Sequence, residues 1–335
     1  MNLYINSRIN FIKNVNLLYE KVEKFDIMYL VILNGRWRLI MTNFGDAERH
    51  IASLLSVGNE FTINGKTFDI KWSGKPTCKK GEPKTDIYVY AESDKDSIEV
   101  KISYKKSNAD FIENKTTAER AEALFGEDWA KIIYSATKSI EQTFKSKKLI
   151  YKAKYKKTEA GAITLGWKYE LMNKSAGELS GVVKLTREQV IDVYSGTHIS
   201  EAKKNANVNG KIIKDSGVAN YILMNDNLSS TQEVINNLVS IECYVDKYPT
   251  IYFACKALNY RTYKDKYDGN RPLSVYVDWS IKDGKLHSNL VFDNPLVIRG
   301  DFVANKLKSC LQQLNIKTTD DICDKIVFDP SIIIE

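Results

Sequence analysis

The sequence has few of the residues that mark several protein classes. It holds only 6 Pro and 17 Gly among 335 residues, which argues against long disordered linkers. Its longest purely apolar run is IMYLVIL at 27–33, whereas a membrane-spanning helix needs about 20 residues. The N-terminal stretch MNLYINSRINFIKN lacks the charged-then-apolar order of a signal peptide. We therefore expect a cytoplasmic protein with no membrane partner.

Cysteine and histidine are also scarce and are poorly placed for a metal site. Five Cys occur without CxxC spacing, and three His lie far apart without an HExxH motif. Zinc binding and a disulfide framework are therefore both disfavoured. The apolar and charged fractions, 43% and 27%, are ordinary for a globular protein. A net charge of +7 favours a polyanionic partner.

Residue patterns predict a mixed α/β fold with an antiparallel part. Helical spacing predicts helices over 8–24, from Asp46 onward, and over 118–144 with a break at Gly126. Asn34-Gly35 and Asn64-Gly65 predict two hairpins, and two further strands are expected at about 86–91 and 97–104.

The second half of the chain is also mixed. Helices are predicted at 187–195, 231–240 and 301–313, and strands at 164–171, 250–258, 273–281 and 286–292, with a hairpin at Asp283-Gly284. A lysine-rich stretch at 145–157 indicates a boundary between an N-terminal region, 1–145, and a C-terminal region, 146–335.

The stretch GEPKTDIYVYAESDKDSIEVKISYKK, 81–106, concentrates the chemistry. Side chains of a strand alternate between its two faces. This alternation places Asp86 on one face, and it places Glu99 and Lys101 together on a polar face of the next strand. If the strands pair, we expect these three side chains to converge on one side of the sheet.

Two carboxylates and an ammonium group suit metal-assisted phosphodiester hydrolysis. Carboxylate oxygens bind Mg²⁺, which lowers the pKa of bound water and neutralises charge on a phosphoryl oxygen. A nearby lysine can orient that water or stabilise developing charge. Pro83 cannot donate a ladder hydrogen bond and so suits the beginning of a strand.

Pro83, Asp86, Glu99 and Lys101 give the pattern P-x-x-D, twelve residues, then E-x-K. This pattern resembles the motif of PD-(D/E)xK nucleases, and within them the chain looks most like a type II restriction endonuclease. The resemblance implies a restriction-endonuclease-like core, a central mixed sheet flanked by helices, followed by a C-terminal DNA-recognition region. It implies Asp86 and Glu99 as Mg²⁺ ligands, Lys101 as the residue that assists water, and Glu48 as a candidate additional acid. It also implies double-stranded DNA as substrate, a homodimer on a palindromic site, and a cognate DNA methyltransferase in the same system.

Several basic residues are candidates for contacts with DNA phosphates or bases. Lys105 and Lys106 follow the motif directly. The lysine-rich stretch adds Lys147, Lys148, Lys152 and Lys154, interleaved with tyrosines. A polar loop predicted at 259–272 carries Arg261, Lys264 and Arg271, and arginine can pair with guanine.

Alternatives stay open at this point. The acidic pair can lie on a solvated hairpin face, and the lysine run can be an ordinary exposed face. The enzyme can be a repair or junction-resolving nuclease of the same fold, or the chain can be a basic DNA-binding protein without catalysis.

Overall fold

The structure is a computed structural model that describes residues 29–33, 36–40, 44–105, 111–113, 116–225 and 227–335, with only the backbone described up to residue 44. The predicted helix at 8–24, the Asn34-Gly35 turn and Lys106 lie outside the described residues.

The described strands are the following: β1 Tyr29–Leu33, β2 Arg36–Ile40, β3 Glu60–Ile63, β4 Lys66–Gly74, β5 Ile87–Glu92, β6 Ser97–Tyr104, β7 Phe111–Glu113, β8 Ile150–Tyr151, β9 Ala162–Met172, β10 Ser180–Val183, β11 Asn207–Val208, β12 Lys211–Ile212, β13 Tyr221–Leu223, β14 Val239–Ser240, β15 Ile251–Arg261, β16 Lys266–Tyr267, β17 Val275–Lys282, β18 Lys285–Val291 and β19 Ile333–Ile334.

The described α-helices are the following: α1 Phe44–Leu54, α2 Ala118–Phe125, α3 Trp129–Lys138, α4 Glu141–Lys145, α5 Arg187–Ser195, α6 Glu201–Lys204, α7 Thr231–Asn236, α8 Ile241–Lys247 and α9 Gly300–Gln313. Short 3-10 helices lie at Thr262–Lys264, Thr319–Asp321 and Pro330–Ile332.

The first large sheet carries the nuclease-like motif. Its order is β14-β13-β6-β5-β4-β3, and its pairs are antiparallel except for the parallel pair of β13 with β6. One face packs against α1 and α7 through side chains that include Ile51, Val234 and Ile235. The β3–β4 hairpin turns at Asn64 and Gly65, which both have positive φ, as the sequence predicts.

The second sheet forms the larger core of the described chain. Its main path is β10-β15-β9-β17-β18, and the short strands β7, β8, β16 and β19 attach to it. The long central strand β9 is buried along nearly its whole length, because helices such as α3 and α9 supply side chains to the same core. The predicted hairpin at Asp283-Gly284 joins β17 to β18.

The prediction of a mixed α/β fold is confirmed, and one predicted helix is divided. The helix predicted over 231–240 ends at Asn236. Val239 then belongs to β14 and pairs with Ile222 of β13. Ser240 then caps the next helix by accepting a hydrogen bond from the backbone N–H of Cys243. The predicted boundary near residue 145 stays a prediction about domains, and each core draws on chain from both sides of it.

A buried ion cluster joins the strand that carries the motif to the second sheet. Glu113 of β7 accepts from Lys84 Nζ at 3.0 Å and from Arg120 Nε at 3.4 Å. Burial would raise the pKa of Glu113, but the charges of Lys84 and Arg120 outweigh burial and lower this pKa to about 2. The cluster therefore fixes the chain two residues before Asp86.

We expect Glu113→Gln to destabilise the protein by about 3 kcal/mol, because two buried cations lose their common partner. Urea unfolding at pH 7 measures this loss. Since the folded-state pKa of Glu113 is depressed, its stabilising contribution is present above about pH 4.5 and is lost as the pH falls toward 2.

The matched control is Glu178→Gln, which removes an exposed partner of Lys147 and Lys156. It should cost less than about 1 kcal/mol, because exposed ion pairs contribute little. Equal losses for the two variants would contradict the role given to the buried cluster.

Candidate active site

Asp86 lies immediately before β5 and is held by the backbone of β6. Its N–H donates to the carbonyl oxygen of Ile102 at 2.8 Å, and its Oδ2 accepts from the N–H of Tyr104 at 2.8 Å. The preceding backbone is also fixed, since the N–H groups of Lys84 and Thr85 donate to the carbonyl of Gly217 at 3.0 and 3.2 Å. The carboxylate is therefore placed by main-chain bonds rather than by a flexible loop.

The two faces of the β5–β6 hairpin alternate as the sequence predicts. Ile87, Val89, Val100 and Ile102 belong to the first core. The opposite face carries the side chains that pair across the strands at Tyr88 with Lys101 and at Tyr90 with Glu99. Asp86, Glu99 and Lys101 thus share one face of the sheet.

The register of the hairpin nevertheless spreads these three residues along the strands. Glu99 is opposite Tyr90, four residues from Asp86, which corresponds to about 13 Å along a strand. Lys101 is opposite Tyr88, only two residues from Asp86. Oxygens that bind one Mg²⁺ each lie about 2.0–2.1 Å from it. This register brings Glu99 and Lys101 together and does not bring Glu99 to Asp86.

Glu99 and Lys101 form a local polar group with Tyr88. The Tyr88 hydroxyl donates to Glu99 Oε1 at 2.5 Å, and Lys101 Nζ lies 3.6 Å from Glu99 Oε2. Burial, together with this carboxylate, raises the pKa of Tyr88. The phenol therefore stays protonated and acts as a donor to Glu99.

Glu48 of α1 is the acid whose negative charge acts on Asp86. Glu48 is 9% exposed, and its negative charge raises the pKa of Asp86. Lys75, just after β4, donates to Glu48 Oε1 at 2.7 Å. Burial opposes a rise in the pKa of Lys75, but Glu48 and, to a smaller extent, Asp86 raise it. Glu48, predicted as an additional acid, is thus near enough to Asp86 for its charge to act on it, and its role as a metal ligand stays a prediction.

Lys105 is the cation with the largest effect on Asp86. Burial raises the pKa of Asp86 to about 6, and the positive charge of Lys105 opposes this rise most strongly. The backbone hydrogen bond from Tyr104 and the charge of Lys75 oppose it further. Two acids and two amines are therefore grouped at the end of the hairpin where Asp86 lies.

A loop from the second half of the chain supports this end of the sheet. Asn220 accepts from the N–H of Lys101 at 2.7 Å and donates to the carbonyl of Glu99 at 2.9 Å. A Cβ on Gly217 would lie 1.8 Å from the carbonyl oxygen of Lys203, so only glycine fits there. Sequence reasoning missed Lys75, Gly217 and Asn220, because none of them belongs to a motif or to a periodic pattern.

The candidate DNA-binding lysines of 145–157 have intramolecular partners in several cases. Lys147 pairs with Glu178, Lys148 donates to the carbonyl of Ser331, and Lys152 lies 2.6 Å from Glu335. Lys154 is exposed. A DNA role for this stretch stays a prediction.

The predicted loop at 259–272 is more ordered than its composition indicates. It comprises the end of β15, a 3-10 turn and β16. Arg261 pairs with Asp268 at 2.9 Å and with Glu159 at 3.0 Å, and Lys264 lies 3.5 Å from Glu159. Arg271 is exposed.

No protein-family model, curated protein or solved structure significantly matches this chain. Within the described ranges, three or more histidine, cysteine, aspartate or glutamate side chains nowhere gather closely enough to hold a metal ion. In the same ranges, every helix is too short or too polar to cross a bilayer.

We expect Asp86→Asn to stabilise the metal-free protein by about 1 to 2 kcal/mol at pH 8, because the buried carboxylate carries a desolvation cost. The folded-state pKa, about 6, exceeds the ordinary 3.8. The cost is therefore absent below pH 3.8, grows as the pH rises to 6, and is complete above it. Urea unfolding in EDTA from pH 4 to pH 8 measures the difference.

The control is Asp69→Asn on β4, where the acid is exposed and pairs with Lys71. It should change stability little across this pH range. If the difference between Asp86→Asn and wild type is independent of pH, the desolvated carboxylate is not its cause.

Proposed function

We propose that the chain is a Mg²⁺-dependent endonuclease that hydrolyses phosphodiester bonds of double-stranded DNA, in the manner of a PD-(D/E)xK restriction endonuclease. The observation that supports this proposal best is the placement of Asp86 just before β5 by the N–H of Tyr104, with the Glu48–Lys75 pair and Lys105 near enough for their charges to act on it. A hairpin strand beginning with an acid and a helix supplying a second acid are also what the resemblance implies.

The donor set fits Mg²⁺. This ion is often held by one or two carboxylates together with waters and substrate phosphate oxygens, so Asp86 and Glu48 are sufficient protein ligands. The Lys75 ammonium lies 2.7 Å from Glu48, so a metal ion held by Glu48 would share this carboxylate with Lys75. When bound, Mg²⁺ would supply an activated water and charge neutralisation at the phosphoryl oxygen.

The protein groups around the acids have separable roles. Asp86 is fixed by Tyr104 through one oxygen, which leaves its other oxygen available for a ligand. Lys105 stands close enough to Asp86 to shift its pKa and can stabilise negative charge on a scissile phosphate. Glu99 and Lys101 lie farther along the same face, and their predicted roles as metal ligand and water-assisting amine remain to be measured against those of Glu48 and Lys105.

The remaining parts of the proposal follow from the resemblance. A restriction-endonuclease-like core would comprise the first sheet with α1 and α7. A palindromic target would favour a two-fold homodimer, with a separate methyltransferase protecting host DNA.

We expect purified protein to cut supercoiled plasmid in Mg²⁺ and to leave it intact in EDTA. Asp86→Ala should reduce cleavage by at least about 1,000-fold while DNA binding in EDTA persists, because only the metal ligand is lost. Asp69→Ala, an exposed acid on the same sheet, serves as the matched control and should cut normally. Discrete bands would indicate sequence specificity, whereas smearing would favour a repair-type nuclease.

Binding without any cleavage by the wild-type protein, across a range of divalent metals, would support a non-catalytic DNA-binding protein. Cleavage retained by Asp86→Ala would remove this carboxylate from the mechanism.

A direct comparison of two lysines tests which amine serves the reaction. We expect Lys105→Ala to lower the single-turnover rate by about 100-fold or more, a typical loss for a removed catalytic group. Lys101→Ala should lower it less, since Lys101 pairs with Glu99 and lies opposite Tyr88, two residues from Asp86.

The same assay on Glu48→Gln and Glu99→Gln compares the two acids, with the rate measured against Mg²⁺ concentration. Glu48→Gln should need more Mg²⁺ for half-maximal rate. If instead Lys101→Ala and Glu99→Gln are the inactive pair, the reaction uses the Glu99 part of this face, and the assignment of Glu48 and Lys105 is wrong.

A further inference from the structure

A pocket opens beside the candidate active site, between the two sheets. Lys84 and Ser103 line it next to Asp86, and Lys105 lines it at the end of β6. Asn173, Tyr194 and Tyr244 reach it from the side of the second sheet. Lys84 lies two residues before Asp86, and Ser103 lies opposite Asp86 on β6. The pocket therefore adjoins Asp86.

The lining is suited to an anion. It offers two ammonium groups, three hydroxyls and one amide beside the apolar side chains of Ile112, Ile222 and Met224, and among the described residues that line it there is no carboxylate. Tyrosine and serine hydroxyls and the lysine ammoniums can all donate hydrogen bonds to a bound oxyanion. Hydrogen bonds from charged donors to phosphate are the stronger kind.

Next to the pocket, two cations, Lys84 and Arg120, share one acid, Glu113. The two terminal nitrogens of Arg120 are buried and have no hydrogen-bond partner among the described residues. Burial lowers the pKa of Lys84, Glu113 opposes this, and the charges of Arg120 and Lys105 lower it further. An added anion would therefore relieve the repulsion among these cations, although Lys105 also faces the acid Asp86.

The size of the pocket excludes a nucleobase. Its enclosed part has room for little more than a water-sized group. A phosphate group can place one oxygen inside and keep its ester oxygens at the mouth, whereas a base would have to enter as a flat ring.

We propose that this pocket binds a phosphate group of the DNA strand next to the phosphate that is cut. The inference rests on the proposed function, because it takes the Asp86 end of the hairpin as the cleavage site. The bound group is a phosphate oxyanion, from either an internal diester or a terminal monoester of the strand.

The first experiment tests the pocket without DNA or catalysis. Inorganic phosphate is titrated into the full-length protein by calorimetry, in EDTA and at constant ionic strength. We compare wild type with the double variant Lys84→Met/Glu113→Gln, which replaces the Lys84–Glu113 ion pair by neutral groups and leaves Arg120 as the remaining charge of the cluster. Wild type should bind, and the double variant should bind at least about tenfold more weakly, since a charged hydrogen bond is lost.

The second experiment connects the pocket to DNA. Binding of a duplex in EDTA is measured against salt concentration, with and without terminal 5′ phosphates on the duplex. Loss of one phosphate contact should lower the slope of log affinity against log salt by about 0.9 in the double variant. Lys66→Met is the control, because Lys66, at the start of β4, is exposed and pairs with Asp96 in the turn between β5 and β6. The slope of this variant should match that of wild type.

The outcomes separate this inference from the proposed function. A slope change on both duplexes indicates an internal phosphate, and a change only on the phosphorylated duplex indicates a terminal one. Failure of wild type to bind inorganic phosphate overturns the pocket, even if DNA is cut. Phosphate binding with an unchanged slope on both duplexes overturns its assignment to DNA. Phosphate binding by a protein that neither binds nor cuts DNA keeps an anion site but overturns the proposed function.

Discussion

The antiparallel register of β5 with β6 decides which side chains can reach Asp86. Six residues of the hairpin are buried in the first core, and a slip by one residue would turn the residues of the slipped strand to the opposite face. With that register fixed, Ser103 and not Glu99 lies next to Asp86, and Lys105 rather than Lys101 becomes the dominant cation. The chemistry available at the hairpin is therefore a consequence of how the apolar face packs.

The site also depends on chain that is remote in sequence. The carbonyl of Gly217 fixes the backbone of Lys84 and Thr85, and Asn220 bridges the backbone of Glu99 and Lys101. The parallel pairing of β13 with β6 follows directly after this loop. A single excursion of the second half of the chain thus supports both strands of the motif, which explains how a short, polar hairpin is held rigidly enough to place a partly buried carboxylate.

Sequence patterns were sufficient for local structure and insufficient for contacts. The Asn64-Gly65 turn, the alternation of Ile87 and Val89, and the helix over 187–195 follow from rules that act within a few residues, and the structure has all of them. The nearness of Glu48 to Asp86 was expected only from the resemblance. Lys75 and Asn220 could not be found, since their roles arise from tertiary packing and from ion pairs that no spacing encodes. The motif pattern likewise contains the spacing of Glu99 from Asp86 along the chain but not the register that sets their distance in space.

The balance of charge around Asp86 connects the acids to the neighbouring pocket. Burial is the main cause that raises the pKa of Asp86, and the charge of Glu48 adds to it, which favours a cation near the two carboxylates. In the neighbouring cluster, Lys84 and Arg120 share the single acid Glu113, which favours an anion. A phosphodiester beside a divalent cation would satisfy both requirements together. Because only Thr85 separates Lys84 from Asp86, one bound strand can meet both requirements without a large rearrangement of the sheet.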